Sequence, residues 1–179
     1  MNDSTQTVAN RLATYVAAYK HYVTIYSKAG RPDVAIFGES LARDMAEIVF
    51  GYTDLVTLNL QTSSPSVGLG SSVGACAIQV TIPGSTTNIV ETQDTFFAQG
   101  LDGTYSRLTF IVLGTKEATY DSQRIVRSRG AFTFDPDRDI VDLDDMLGIL
   151  VSKADPAKLE AFADRLQREL GAPTQPYAS

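Results

Sequence analysis

The stretch PSVGLGSSVGACAIQVTI, residues 65–82, decides how the rest of the chain is read. Residues near 66–69 and 75–82 read as two short strands, and the Gly/Ser-rich segment between them reads as a hairpin turn. The second strand is built from small and β-branched residues, which suits burial within a sheet, and Pro83-Gly84 closes it. It ends in Gln79-Val80-Thr81, so an amide and a hydroxyl two residues apart lie on one face of the strand. Charge is missing from this region: no Asp or Glu occurs between Asp54 and Glu91.

Downstream, residues 86–99 carry a helical pattern. Ile89, Val90, Phe96 and Phe97 form its buried side, Asn88 and Glu91 stand at capping-box spacing, and Gly100 supplies the stop. The run from Arg107 to Gly114 is almost unbroken in apolar residues, as in strands buried on both faces of a parallel sheet. Strand, helix and strand form a βαβ unit whose crossover is expected to be right-handed. Residues 116–138 are less regular. Arg124, Arg127 and Arg129 form the chain's only concentrated positive charge there, read as a solvated segment rather than a phosphate-contacting strand. Residues 140–145 read as the start of a helical stretch. Pro156 opens a last helix with the stripe Leu159, Phe162, Ala163, Leu166 and Leu170.

Upstream, residues 5–29 read as one long helix. Val8, Leu12, Tyr15, Val16, Tyr19, Tyr22, Val23 and Tyr26 recur at spacings of three and four, and Gly30 and Pro32 end the pattern. Such a tyrosine stripe is a packing face, expected to meet the C-terminal helix or its counterpart in a homodimer. A second helix from Gly38 to Phe50 buries Leu41, Met45, Ile48 and Val49, and Gly51 ends it. Residues 54–60 fit either an extended segment or a short helical turn.

The 179 residues suit a single domain, taken as 1–172 with a loose tail over 173–179. Hydrophobic residues make up 44% and charged residues 20%, a globular balance, and the net charge of -6 offers nucleic acid no general basic surface. The single cysteine, Cys76, excludes an internal disulfide framework and reads as an inert core thiol in a reducing compartment. The polar start lacks the order of a secretion signal, and no apolar run suffices for a membrane span, so a soluble cytoplasmic protein without membrane contact is expected. His21 has no second ligand one turn away. The glycine-rich GLGSSVG lacks the Lys-Ser/Thr of a phosphate loop, and DLDD at 142–145 lacks calcium-loop spacing.

Three stretches carry a resemblance: AGRPDVAIFGESLARDMAEIVFGYTDLVTLN at 29–59, the hairpin 65–82 with NIVETQDTFFAQGLDGTYSRLTFIVLG at 88–114, and DIVDLDDML at 139–147. In order and spacing they resemble the SMEK domain of bacterial antiphage proteins. The resemblance implies an α/β fold of the restriction-endonuclease type: a mixed sheet flanked by helices, with long N-terminal and C-terminal helices. It also implies a place in defence operons, sometimes beside ABC-type ATPases. In nuclease folds of this type a hairpin acid, a helix acid and a strand bearing (Glu/Gln)-x-(Lys/Thr) converge on a metal. Those roles fall on position 68, on Glu39, and on Gln79 with Thr81. Position 68 is a glycine, Thr81 stands where a lysine would help catalysis, and Glu39 remains the one metal ligand with a charge.

Metal-dependent phosphodiester cleavage needs Mg²⁺ held by carboxylates to generate hydroxide and stabilise the leaving oxygen. Glu39 with a neutral amide supplies too little charge. The expectation is a catalytically degenerate nuclease-like module without a cofactor, binding a partner protein of a defence system or a nucleic acid. The alternative is a Mg²⁺-dependent endonuclease acting on DNA or RNA with a rearranged acid, such as Asp54 or Glu91.

Overall fold

Helices enclose a five-stranded mixed sheet in the computed structural model of the protein, which describes residues 3–29, 33–58, 66–153 and 155–171, and of these the side chains at 5–29, 40–58, 68–153 and 155–171. In chain order the elements are α1 (Asp3–Lys28), α2 (Asp33–Phe50), β1 (Val56–Leu58), β2 (Ser66–Ser71), β3 (Cys76–Thr81), α3 (Thr86–Ala98) and β4 (Arg107–Val112). Then follow β5 (Ser128–Arg129), β6 (Phe132–Thr133), α4 (Pro136–Asp139), β7 (Ile140–Asp142), α5 (Leu143–Lys153) and α6 (Pro156–Leu170). The sheet order is β1-β2-β3-β4-β7, while β5 and β6 form a separate small hairpin. The first three strands are an antiparallel meander, and β3, β4 and β7 run parallel. The expected βαβ unit is therefore β3-α3-β4. The ambiguous 54–60 segment contributes the edge strand β1, and the tail at 173–179 lies outside the described residues.

Side chains of period two split the sheet into two cores. On one face Leu69, Cys76, Ile78, Val80, Ile111 and Val141 meet Leu12, Tyr19, Leu41, Met45, Phe162 and Leu166 from the surrounding helices. On the other, Ala77, Leu108, Phe110, Val112 and Ile140 meet Ile89 and Phe96 of α3, together with Ile125, Phe132 and Phe134. The tyrosine stripe of α1 is met within the chain: Tyr19 is buried, and Tyr15, Tyr22 and Tyr26 pack partly covered on the same core.

Local chemistry sets the boundaries. Gly51 (φ 77°) and Gly100 (φ 68°) adopt the left-handed backbone that ends α2 and α3. The β2-β3 turn is pinned by Asp54, whose carboxylate accepts from the Ser71 and Ser72 hydroxyls and the Val73 N–H at 2.6, 2.9 and 2.9 Å. The cap of α3 is Ser85, whose hydroxyl accepts from the Asn88 N–H at 3.3 Å. Asn88 is thus inside the helix, not its cap. Residues 140–142, expected to be helical, form β7 instead, because β4 takes them as a parallel neighbour. Asp142 then starts α5 by accepting from the Asp144 and Asp145 N–H groups, and Asp145 returns its carboxylate to the Asp142 N–H. This is a capping box built from two aspartates.

The fully buried Phe162 joins α6 to α1 and the sheet. Phe162→Ala should cost about 3–5 kcal/mol and lower the melting temperature by roughly 6–20 °C in thermal unfolding followed by circular dichroism. Ile25→Ala on the exposed side of α1, at a side chain 50% exposed, should stay within about 0.5 kcal/mol of the unmodified protein.

Candidate functional site

The hairpin register sets Gly68 opposite Gln79 and Ser66 opposite Thr81. Residues paired across strands share a face, so position 68, Gln79 and Thr81 look the same way, toward α3. On their other side Gln79 neighbours Phe110 and Thr81 neighbours Val112. Gln79 is 0% exposed and Thr81 1%. The Thr81 hydroxyl donates to the Pro83 carbonyl at 3.4 Å, whereas neither the nitrogen nor the oxygen of the Gln79 amide has a hydrogen-bond partner.

The helix on this side of the sheet is α3. Only residues 82–85 separate β3 from α3, so the first turns of the helix must stand over the end of β3. Its buried side presents Ile89 and Phe96 together with the polar Asn88 and Thr92. Gln93 on the same helix fixes the following loop: its amide accepts from the Val126 N–H at 2.9 Å and donates to the Val126 carbonyl at 3.0 Å. Glu117 closes the start of α3 by accepting from the Thr86 N–H and hydroxyl at 3.1 and 2.6 Å.

The candidate acids belong to other elements. Glu39 belongs to α2, and its side chain lies outside the described residues. Asp54 holds the turn end of the hairpin, remote from the open end where Gln79 and Thr81 sit. The Ser71 hydroxyl above all, with the Val73 N–H, lowers its pKa to about 2. Glu91 is exposed on α3, away from its buried positions. Two acids outside the predicted site are deeply placed. Asp139 is fully buried and accepts from Arg107 at 2.7 Å, from Nε and Nη2 of Arg138 at 2.9 and 2.6 Å, and from the Asp135 N–H at 2.8 Å. Burial pushes its carboxyl up, but these donors outweigh burial and hold it below the usual range. Asp142 is likewise held down against burial, by the Asp145 N–H and by Lys20 of α1. Both act as structural anchors. Of the three arginines in the basic segment, Arg129 lies 4.7 Å over the Phe97 ring beside Asp102, while Arg124 and Arg127 are exposed.

A model of the SMEK domain matches residues 11–150, from the first turns of α1 to the last of α5. The chain belongs to the SMEK domain family. No curated protein and no solved structure matches it. Among the described residues of this SMEK domain, no helix is long and apolar enough to cross a membrane.

Mg²⁺ is a poor fit to the donors that the SMEK hairpin offers. The ion prefers one or two carboxylates together with water and substrate phosphates. Here it would meet a neutral amide and a hydroxyl already engaged, both shut from solvent. Among the described residues, no group of three or more His, Cys, Asp or Glu is placed to hold a metal.

Asp54, Asp139 and Asp142 all have folded pKa values below the ordinary carboxylate value of about 3.9. The unfolded chain therefore binds more protons, so their stabilisation is complete above about pH 4 and drains as the pH falls toward about 2, where Asp54 titrates in the native state. Asp139→Asn should lower stability at neutral pH by about 1.5–3 kcal/mol and flatten this acid slope, read from denaturant unfolding at a series of pH values.

Proposed function

We propose that this SMEK domain is a catalytically inactive module of restriction-endonuclease-like architecture, working by binding a partner protein in a bacterial antiphage-defence system. The architectural part is supported by the order of the core: an antiparallel meander, a crossover helix, and a parallel fourth strand. It is also supported by the hairpin register, which pairs position 68 with Gln79 as the two halves of a nuclease-type site would be paired.

One observation carries the loss of activity. Gln79 and Thr81 are wholly buried on the sheet face that α3 packs against, and a glycine stands across from Gln79. A nuclease must bring a hydrated cation and a phosphodiester to such residues, and the developing charge must be met by fixed carboxylates and cations. Hydrophobic packing of Ile89 and Phe96 against Ala77, Phe110 and Val112 covers the approach. What remains for the domain is contact through its outer surface.

The test is cleavage of single- and double-stranded DNA and RNA by the purified protein with Mg²⁺ or Mn²⁺. No cleavage is expected. Metal-dependent nicking that disappears in Gln79→Ala would overturn the reading in favour of an active endonuclease. A Gly68→Asp variant places a carboxylate on the strand position opposite Gln79. Because the position is closed to solvent, calorimetric titration should find no Mn²⁺ binding gained in that variant, provided circular dichroism shows it folded; a gain would show the position open to ions and contradict the sealed reading.

A further inference from the structure

We infer that Gln79, Asn88 and Thr92 together form an internal water site between β3 and α3. Six buried side-chain polar atoms of the described residues have no hydrogen-bond partner, and five of them belong to these three residues: both amide atoms of Gln79, both of Asn88, and the Thr92 hydroxyl. The sixth is Arg107 Nε, at the far end of the parallel strands. Orphaned atoms are uncommon in native interiors, and each left unmet costs about 1–3 kcal/mol. Their restriction to β3 and the buried side of the helix that follows it points to a shared guest.

The chain's connectivity brings the three residues into one layer, between β3 and α3. Asn88 and Thr92 are one helical turn apart on the buried side of α3, where Ile89 packs in the same core as Ala77 and Val112. The short 82–85 link holds that first part of α3 over the end of β3, and Gln79 points up from β3 toward it. All three are at most 3% exposed.

Charge decides the class of guest. A cation would find no carboxylate among the three, and an anion no cationic side chain. An isolated ion in such surroundings is heavily penalised by desolvation. The groups present are neutral, and the two amides both donate and accept. A small neutral molecule that also does both meets them, and an internal water making about three hydrogen bonds is the usual one. One or two waters bridging Gln79 to Asn88 and Thr92 satisfy groups that the side chains leave unpaired among themselves. The site is defined by burial and hydrogen bonding, and it stands whether or not the domain shares its architecture with nucleases.

The experiment is water-selective NMR on the labelled, unmodified protein. The side-chain NH₂ groups of Gln79 and Asn88 should both show cross-relaxation to long-lived water. Absence of that signal from both amides would overturn the site. A folded Gln79→Met variant should lose most of the Asn88 water signal, because the shared water loses a partner. An Asn88 signal unchanged by the substitution would contradict a common site, and if Gln79→Met does not fold, Thr92→Val makes the same comparison. Nuclease activity in the unmodified protein would refute the inactive reading while leaving the water signals untouched, so the two failures are distinguishable.

Discussion

Parallel pairing of Cys76–Thr81 with Arg107–Val112 is the constraint on which the rest of the molecule depends. Two parallel strands cannot be joined by a tight turn, so the chain must cross one face of the sheet between them. The crossover is α3, and its placement fixes what each residue of the central strands can be. Even-numbered positions of β3 face the helical layer of α1, α2, α5 and α6, and odd-numbered positions face α3. The only long polar side chain on the central strand, Gln79, falls on the α3 face and is sealed there.

The layer on the opposite face is held by apolar packing first and by a few buried charges second. Arg165 of α6 is 8% exposed and reaches the half-exposed Asp44 and the exposed Ser40 of α2 as well as Glu169 on its own helix, tying two helices together. Lys20 of α1 bonds Asp142 and Asp144 at the start of α5. By contrast, the Arg11–Glu160 pair between α1 and α6 is open to solvent on both sides and contributes little, as exposed pairs generally do. Arg107 and Arg138 close the amino end of the parallel strands around Asp139, the one fully buried carboxylate among the described residues.

Much of this architecture was legible in the sequence because the periodicities are strong. The α1 stripe, the buried run at 107–113, and the Pro156 and Gly100 signals all correspond to elements that the structure contains. The misread parts share a cause: short segments whose state is set by a distant partner. Ile140-Val141-Asp142 has the composition of either a helix start or a strand, and only β4 beside it decides the matter. Asn88 has the right residue type for a cap, but Ser85 is closer to the true start and takes the role. Gln79 and Thr81 were legible as a polar pair on one face. That this face lies under Ile89 and Phe96 was not, since no local pattern says which side of a central strand a crossover helix will cover. Asp139 escaped notice and Asp142 was read only as part of an acidic run at a helix start, because Arg107 and Lys20, which pair with them, lie far away in sequence.

The central claim is that the polar end of the hairpin is a sealed interior position and not a metal centre. The most direct measurement is anomalous diffraction from a crystal of the unmodified protein soaked in Mn²⁺. The account predicts no anomalous peak within coordinating distance of the Gln79 amide, whatever ions bind at the surface. A peak there, with Gln79 and Glu39 both turned onto it, would contradict the account and return the domain to the metal-dependent nucleases.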